Sequence, residues 1–266
     1  MHLLNQILFG VYPYIALSVL ALGSVIRFDR EQYTWRSGSS QLLRRKQLVM
    51  GSVLFHVGVL TIFGGHFVGL LTPIWVFDAL GVPHGAKQIL AIVAGGIAGV
   101  LCLVGGLMLL HRRLFDPRIR ATSSFGDTAI LVLLMLQLIL GLATIPVSAG
   151  HLDGHEMLKF MNWAQGVFTF RPGVADLVAD VHPIFKAHLM LGMTILLVFP
   201  FTRLVHMLSA PIWYLNRRGW QLVRTKRALP LRRLAAAPVY PAEALTPPVR
   251  GATIQAVRPE ALKAAE

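Results

Sequence analysis

Long apolar runs, separated by short polar connections, dominate the chain. Five runs, at about 4–26, 47–71, 88–110, 126–148 and 183–208, are long enough to cross a bilayer core as helices. In lipid only a helix satisfies its own backbone. The pattern predicts an all-α integral membrane protein of five transmembrane helices. The third run contains Gly95, Gly96, Gly99, Gly105 and Gly106, small residues that suit close helix packing.

The connections set the orientation. Residues 27–46 hold Arg27, Arg30, Arg36, Arg44, Arg45 and Lys46; residues 111–125 hold Arg112, Arg113, Arg118 and Arg120; ten more Lys and Arg follow the fifth run. The opposite face has only Lys87, Lys159 and Arg171 in its connections. The basic face is therefore predicted to be cytoplasmic, with the N-terminus periplasmic and the C-terminus cytoplasmic. The longest connection, 149–182, is too polar to span, and Met157–Phe168 within it is predicted to lie as a short helix at the outer surface. Residues 1–227 read as the membrane domain, and 228–266 as a basic Ala/Pro-rich tail, extended or disordered until a partner orders it. The N-terminal stretch lacks a basic region and a small-residue cleavage site, so it reads as a span and not as a cleaved signal.

Composition agrees: 55% of residues are apolar and 14% charged, against about 25% charged in soluble domains. The net charge of +13 sits in connections and tail and not on one binding face, which argues against nucleic acid and for membrane orientation, acidic lipid headgroups and an acidic partner surface. The single cysteine, Cys102, lies in an apolar run and excludes an internal disulfide.

Candidate chemistry rests on histidine. Of ten, His2, His84, His151, His155 and His182 fall in outer connections or at span edges, and His111 sits beside Arg112 and Arg113 as an interfacial residue would. His56, His66, His188 and His206 lie inside the second and fifth spans, where a polar side chain must find a partner. At 100° per residue His188 and His206, eighteen apart, share a side of span five, while His56 and His66 are offset by roughly 80°. The two spans run in opposite directions, so His66 shares a depth with His188 (outer) and His56 with His206 (inner). Two imidazole pairs at two depths can each supply both axial ligands of a haem iron. A rise of about 15 Å between one pair of positions against about 27 Å for the other requires tilt. Zinc or copper would need more ligands at one depth. A proton or ion relay remains the rival on these residues alone. Gly58, Gly64, Gly65, Gly69 and Gly192 leave room for a large flat group.

Several segments carry a more specific signal. Gln32-Tyr33-Thr34-Trp35-Arg36, Leu54-Phe55-His56-Val57-Gly58, Gly65-His66-Phe67, Leu71-Thr72-Pro73, Arg112-Arg113-Leu114-Phe115 and Phe199-Pro200-Phe201-Thr202-Arg203-Leu204, in this order, resemble the gamma subunit of respiratory nitrate reductase, a dihaem cytochrome b anchor. The resemblance runs to about residue 227. It implies two haem b groups held by His66 with His188 and by His56 with His206. It also implies oxidation of quinol near the outer face of the bacterial inner membrane, with electrons delivered to an iron–sulfur subunit and a molybdenum subunit that reduces nitrate. In the family a lysine in the second outer connection assists quinol binding, and the matching position here is Lys87. Gly65, beside His66, would let a quinol ring approach, so Lys87, Gly65 and His66 form the candidate quinol site. Arg112, Arg113 and Arg203 are candidate partners of the inner haem propionates, or else fix topology alone, and Lys186 is placed similarly for the outer haem. Related dihaem anchors of sulfur-metabolism or heterodisulfide-type complexes, and a non-redox transporter, are the competing readings.

Overall fold

The computed structural model describes residues 2–36, 43–210 and Asn216. Among these residues the regular structure is helical and no strand occurs. Five helical stretches are long and apolar enough to cross a membrane: His2–Arg30, Arg45–Leu71, His84–Phe115, Phe125–Ala149 and Pro183–Phe201. In chain order, α1 is His2–Arg30, with a π-helical turn at Ile7–Val11, and α2 is Arg45–Leu71. A short α3 (Ile74–Ala79) leads to α4 (His84–Phe115), followed by a short α5 (Pro117–Ala121) and α6 (Phe125–Ala149). Then come α7 (His155–Phe168) and α8 (Pro183–Val198). The predicted tail, 228–266, lies outside the described residues.

Local chemistry sets several boundaries. α5 begins at Pro117 after Asp116, whose carboxylate accepts from the Arg118 and Ile119 amides at 3.0 and 3.3 Å. Ser124 Oγ accepts from the Asp127 amide at 3.1 Å and starts α6. α8 opens with Pro183, and the His182 ring caps the Ile184 amide at 3.3 Å.

One boundary departs from the sequence expectation. The fifth span is not a single helix to residue 208. Regular α-helix stops at Val198, a 3-10 turn covers Phe199–Phe201, Thr202 is extended, and a second 3-10 segment runs over Arg203–Ser209. Pro200 is the cause, since it has no N–H to continue the ladder. The Thr202 hydroxyl restarts the chain by accepting from the Leu204 amide at 3.2 Å. A count of 100° per residue therefore does not carry from His188 to His206.

The bundle is built by small residues and tied at both ends. α2 and α4 approach closely: a Cβ on Gly58 would lie 2.5 Å from the Ala98 carbonyl and 2.6 Å from Cys102 Cβ, and one on Gly51 would lie 3.2 Å from the Gly105 carbonyl. α6 packs between α4 and α8, and α1 on the far side of α8. At one end the polar ties are Arg27 to Pro200 and Thr202, Arg112 to Leu43, and Trp35 Nε1 to Ser209 Oγ at 2.6 Å. At the other, α7 is the tie. Predicted as a short helix at the outer surface, it buries Met161, Trp163, Ala164 and Val167 against the bundle. Trp163 Nε1 donates to the Phe9 carbonyl at 2.9 Å, and Gln165 Nε2 donates to the Leu70 and Thr72 carbonyls at 3.0 and 2.9 Å. α7 is thus a cap that joins α1 to the end of α2. Its apolar face reaches Phe9, Val174, Val178 and Phe185 in one cluster, which is why the sequence of a surface helix buries so much.

Candidate cofactor slot and quinol site

The four histidines singled out in the sequence face one another in two pairs between α2 and the α8 arm of the bundle. The His66 and His188 rings have centroids 6.2 Å apart with planes at 47°. The His56 and His206 rings are 6.5 Å apart with planes at 65°. The first pair lies toward the α7 end and the second toward the basic end, each joining α2 to the fifth span. The pairing expected from chain direction is the one observed, although His206 reaches it from the 3-10 segment beyond Pro200.

These spacings suit a metal between the rings. Two metal–imidazole bonds of about 2.0 Å each, plus the distance from ligating nitrogen to ring centre on both sides, sum to about 6.4 Å. Three of the rings also have the correct nitrogen free. His56 Nδ1 lies 2.7 Å from the Ser52 carbonyl, His66 Nδ1 2.8 Å from the Ile62 carbonyl, and His206 Nδ1 2.6 Å from the Arg203 carbonyl. A proton on Nδ1 makes that bond and leaves the Nε2 lone pair for a metal. A Cβ added at Gly64, Gly65 or Gly69 would meet nothing within 4 Å, so this stretch of α2 presents open space. Among the described residues no three His, Cys, Asp or Glu side chains gather as a metal cage. Opposed imidazole pairs at this spacing fit an iron held by two histidines, as in the haem expected from the sequence.

Lys87 is not in a connection but in the first turn of α4, and it is 7% exposed. Its Nζ lies 3.0 Å from Met161 Sδ of α7 and 4.0 Å from the Phe77 ring centre, in cation–π contact. A thioether is a weak acceptor, so the ammonium is held by soft partners that a stronger acceptor can displace. Next to it, Gln88 Nε2 donates to the Ser148 carbonyl at 2.9 Å and to the His151 carbonyl, which fixes the start of α4 against the end of α6. Neither Met161 nor Phe77 stands out in the sequence, because only the fold brings α3 and α7 over Lys87.

The arginines divide. Arg112 is 3% exposed and donates to the Leu43 carbonyl at 2.7 Å, which ties the connection after α1 to α4. Arg113 Nη1 lies 3.8 Å and Arg203 Nη1 3.7 Å from the two carboxylate oxygens of Asp127. Asp127, unremarkable in sequence, thereby links α4, α6 and the segment after α8. Lys186 donates to the Ala179 carbonyl at 2.6 Å. The remaining histidines have local roles: His2 pairs with Asp176 at 3.5 Å and His84 with Asp78 at 3.6 Å.

Comparison with known proteins bears on the same residues. A family model described as nitrate reductase gamma subunit matches residues 5–226. The chain is 53% identical to respiratory nitrate reductase 1 gamma chain of Escherichia coli K12, over 85% of this chain and 100% of that protein. It is 39% identical to nitrate reductase gamma chain of Bacillus subtilis 168, over 80% of this chain and 95% of that protein. The match spans all five candidate membrane helices and the slot between them, and the chain belongs to the nitrate reductase gamma subunit family.

Proposed function

We propose that the chain is the quinol-oxidising cytochrome b subunit of a nitrate reductase of the bacterial inner membrane, with its α7 end periplasmic and its basic end cytoplasmic. As a gamma subunit it belongs to an oxidoreductase complex, and the nitrate-reducing site lies on another subunit. The observation that carries the cofactor reading is the facing of His66 with His188 and of His56 with His206, at metal-bridging spacing and two levels of one slot. Each pair would hold one haem b through its Nε2 atoms, an outer group on His66 and His188 and an inner group on His56 and His206. Bound there, the groups supply one-electron carriage between the two faces.

The chain's own residues provide the rest. Lys87 would exchange its contact with Met161 for a hydrogen bond to a quinol oxygen, which orients the ring and favours loss of the hydroxyl proton beside a cation. Gly65, with open space where a Cβ would stand, admits that ring next to His66. Protons leave on the outer side, where α7 and its connections meet water. Arg113 and Arg203 converge on a single carboxylate at the inner end. They are the candidate holders of the inner propionates, whereas Arg112 already serves the Leu43 carbonyl. The basic connections would dock an iron–sulfur subunit and, through it, a molybdenum subunit, with acidic lipid headgroups along the same rim.

A redox-titrated optical spectrum of the purified complex tests this reading. Two b-type waves are expected, with His206→Ala removing the inner one and leaving the outer reducible by quinol. A His206→Ala complex that keeps both waves, or a parent complex with none, overturns the assignment.

A further inference from the structure

We propose that Gln137 is the positioning partner of His188 and tunes its strength as a ligand; this rests on the reading of His66 and His188 as the axial pair of the outer haem. The slot histidines are not alike. His56, His66 and His206 each direct Nδ1 at a backbone carbonyl three or four residues earlier. His188 does not: its Nδ1 is buried without a hydrogen-bond partner. Once a metal takes Nε2, the proton must sit on Nδ1, and there it needs an acceptor.

The neighbouring span supplies one. Gln137 of α6 donates from Nε2 to the His188 carbonyl at 3.1 Å, and the same amide lies 3.4 Å from the ring's Nε2. Its Oε1 is buried and also without a partner. Two side chains in contact thus hold one unused acceptor and one unused ring nitrogen. In an apolar interior each orphan is costly, and reorientation of the Gln137 amide and the His188 ring would let one satisfy the other.

The backbone around this contact is cleared from both sides. A Cβ on Gly192, one turn after His188 on α8, would lie 3.1 Å from Gln137 Nε2. A Cβ on Gly141, one turn after Gln137 on α6, would lie 3.0 Å from His188 Cε1. Residues four apart share a helix face, so each helix gives up a side chain where the other's polar residue arrives. That reciprocal clearance is what a generic apolar helix contact lacks.

The consequence is electronic. An acceptor on Nδ1–H makes the imidazole a stronger donor and favours the oxidised iron, so it lowers the reduction potential. Gln137→Met keeps the bulk, removes the acceptor, and should raise the outer midpoint. Gln137→Glu offers a stronger acceptor and should lower it. The expected size is about tenfold in the oxidised-to-reduced ratio at fixed potential, about 59 mV for a one-electron couple. Gly192→Ala, which keeps Gln137 but displaces its amide, should move the midpoint in the direction of Gln137→Met.

The measurement is a redox-titrated optical spectrum of the whole complex, read separately at the two haems. Opposite shifts for the Met and Glu variants, confined to the outer wave, support the assignment. So does loss of the outer wave alone in both Gln137→Met and Gly192→Ala. Unchanged midpoints, shifts of one sign for Met and Glu, or joint loss of both waves would show a packing role only and overturn it. A parent complex without two b-type waves fails at the earlier step and brings down the haem reading itself, a distinguishable result.

Discussion

Arg27 Nη1 lies 2.6 Å from the carbonyl oxygen of Pro200, so an arginine of the first span holds the break in the fifth. The same nitrogen reaches the Thr202 carbonyl at 2.8 Å, and Nη2 donates to the Thr34 carbonyl at 2.7 Å. Helix ends leave carbonyls without intrahelical donors, and the proline break creates such an end at Pro200. The guanidinium satisfies it and fixes the start of the 3-10 segment that carries His206. A residue read from sequence only as a topology signal thus supports the geometry of the inner histidine pair.

Replacing Arg27 with Ala should cost about 1–3 kcal/mol through the uncovered carbonyls, with the loss felt first at His206. The inner b-type wave should weaken or broaden while the outer wave persists, and Arg27→Lys should recover part of it. Spectra of membranes titrated with a redox mediator decide the matter. Equal loss at both haems would show that Arg27 supports the bundle as a whole.

The spans and the facing of the four histidine rings were legible because hydropathy marks a helix in lipid and successive spans alternate in direction. Neither signal depends on knowing which helices touch. The break at Pro200 was hidden because Phe199 and Phe201 keep the run apolar through it, and hydropathy cannot see a missing N–H. Lys87 was legible as a candidate but not as a buried residue, since its cover comes from Phe77 before it and Met161 far beyond it in sequence. Asp127 and Gln137 were missed for a related reason. Each is a lone polar residue at the edge or in the middle of an apolar run, and its meaning lies in partners on other helices.

Two glycines of α2, close in sequence, should behave oppositely. Gly58→Ala forces a methyl to within 2.6 Å of the Cys102 amide and Cβ, backbone that cannot yield, and overpacking of this kind costs about 1–3 kcal/mol. Because α2 carries both His56 and His66, both haems should be depleted together and the complex should melt at lower temperature. Gly65→Ala meets no protein atom within 4 Å, so melting should be unchanged while the Michaelis constant for quinol rises. Thermal melts alongside steady-state quinol oxidation separate the two. Similar melting temperatures for both variants would contradict the packing argument.

Lys87→Ala removes the ammonium that the first turn of α4 holds against Met161 and Phe77. A lost hydrogen bond from a charged donor to substrate is worth about 1.5–3 kcal/mol, or about ten- to hundredfold in kcat/KM for quinol. Haem content and midpoints should stay near those of the parent, because Lys87 contacts Met161 and Phe77 and no slot histidine. Nitrate reduction driven by a soluble artificial donor, which bypasses the quinol site, should be unaffected. A parallel fall in both assays would place Lys87 in assembly and not in quinol oxidation.

Asp127 offers the sharpest test of how charge is arranged at the inner end. Its carboxylate lies 3.8 Å from Arg113 Nη1 and 3.7 Å from Arg203 Nη1, with side chains 21%, 15% and 24% exposed respectively. These contacts are too long for strong hydrogen bonds and too sheltered for full solvent screening, so each falls between the surface and buried limits, at about 1–3 kcal/mol. Asp127→Asn leaves two cations facing each other across the junction of α4, α6 and the segment after α8. The complex should melt earlier, and the loss should deepen at low salt, where like charges repel furthest. Adding Arg203→Gln removes one of the two cations, so the double variant should recover part of the loss; simple additivity of the two single losses would show that Asp127 does not couple these arginines. If Arg113 and Arg203 also hold the inner propionates, Arg203→Gln alone should lower the inner midpoint, because a cation beside the haem favours the reduced, less positive iron, and the shift should be modest since Arg113 remains in place.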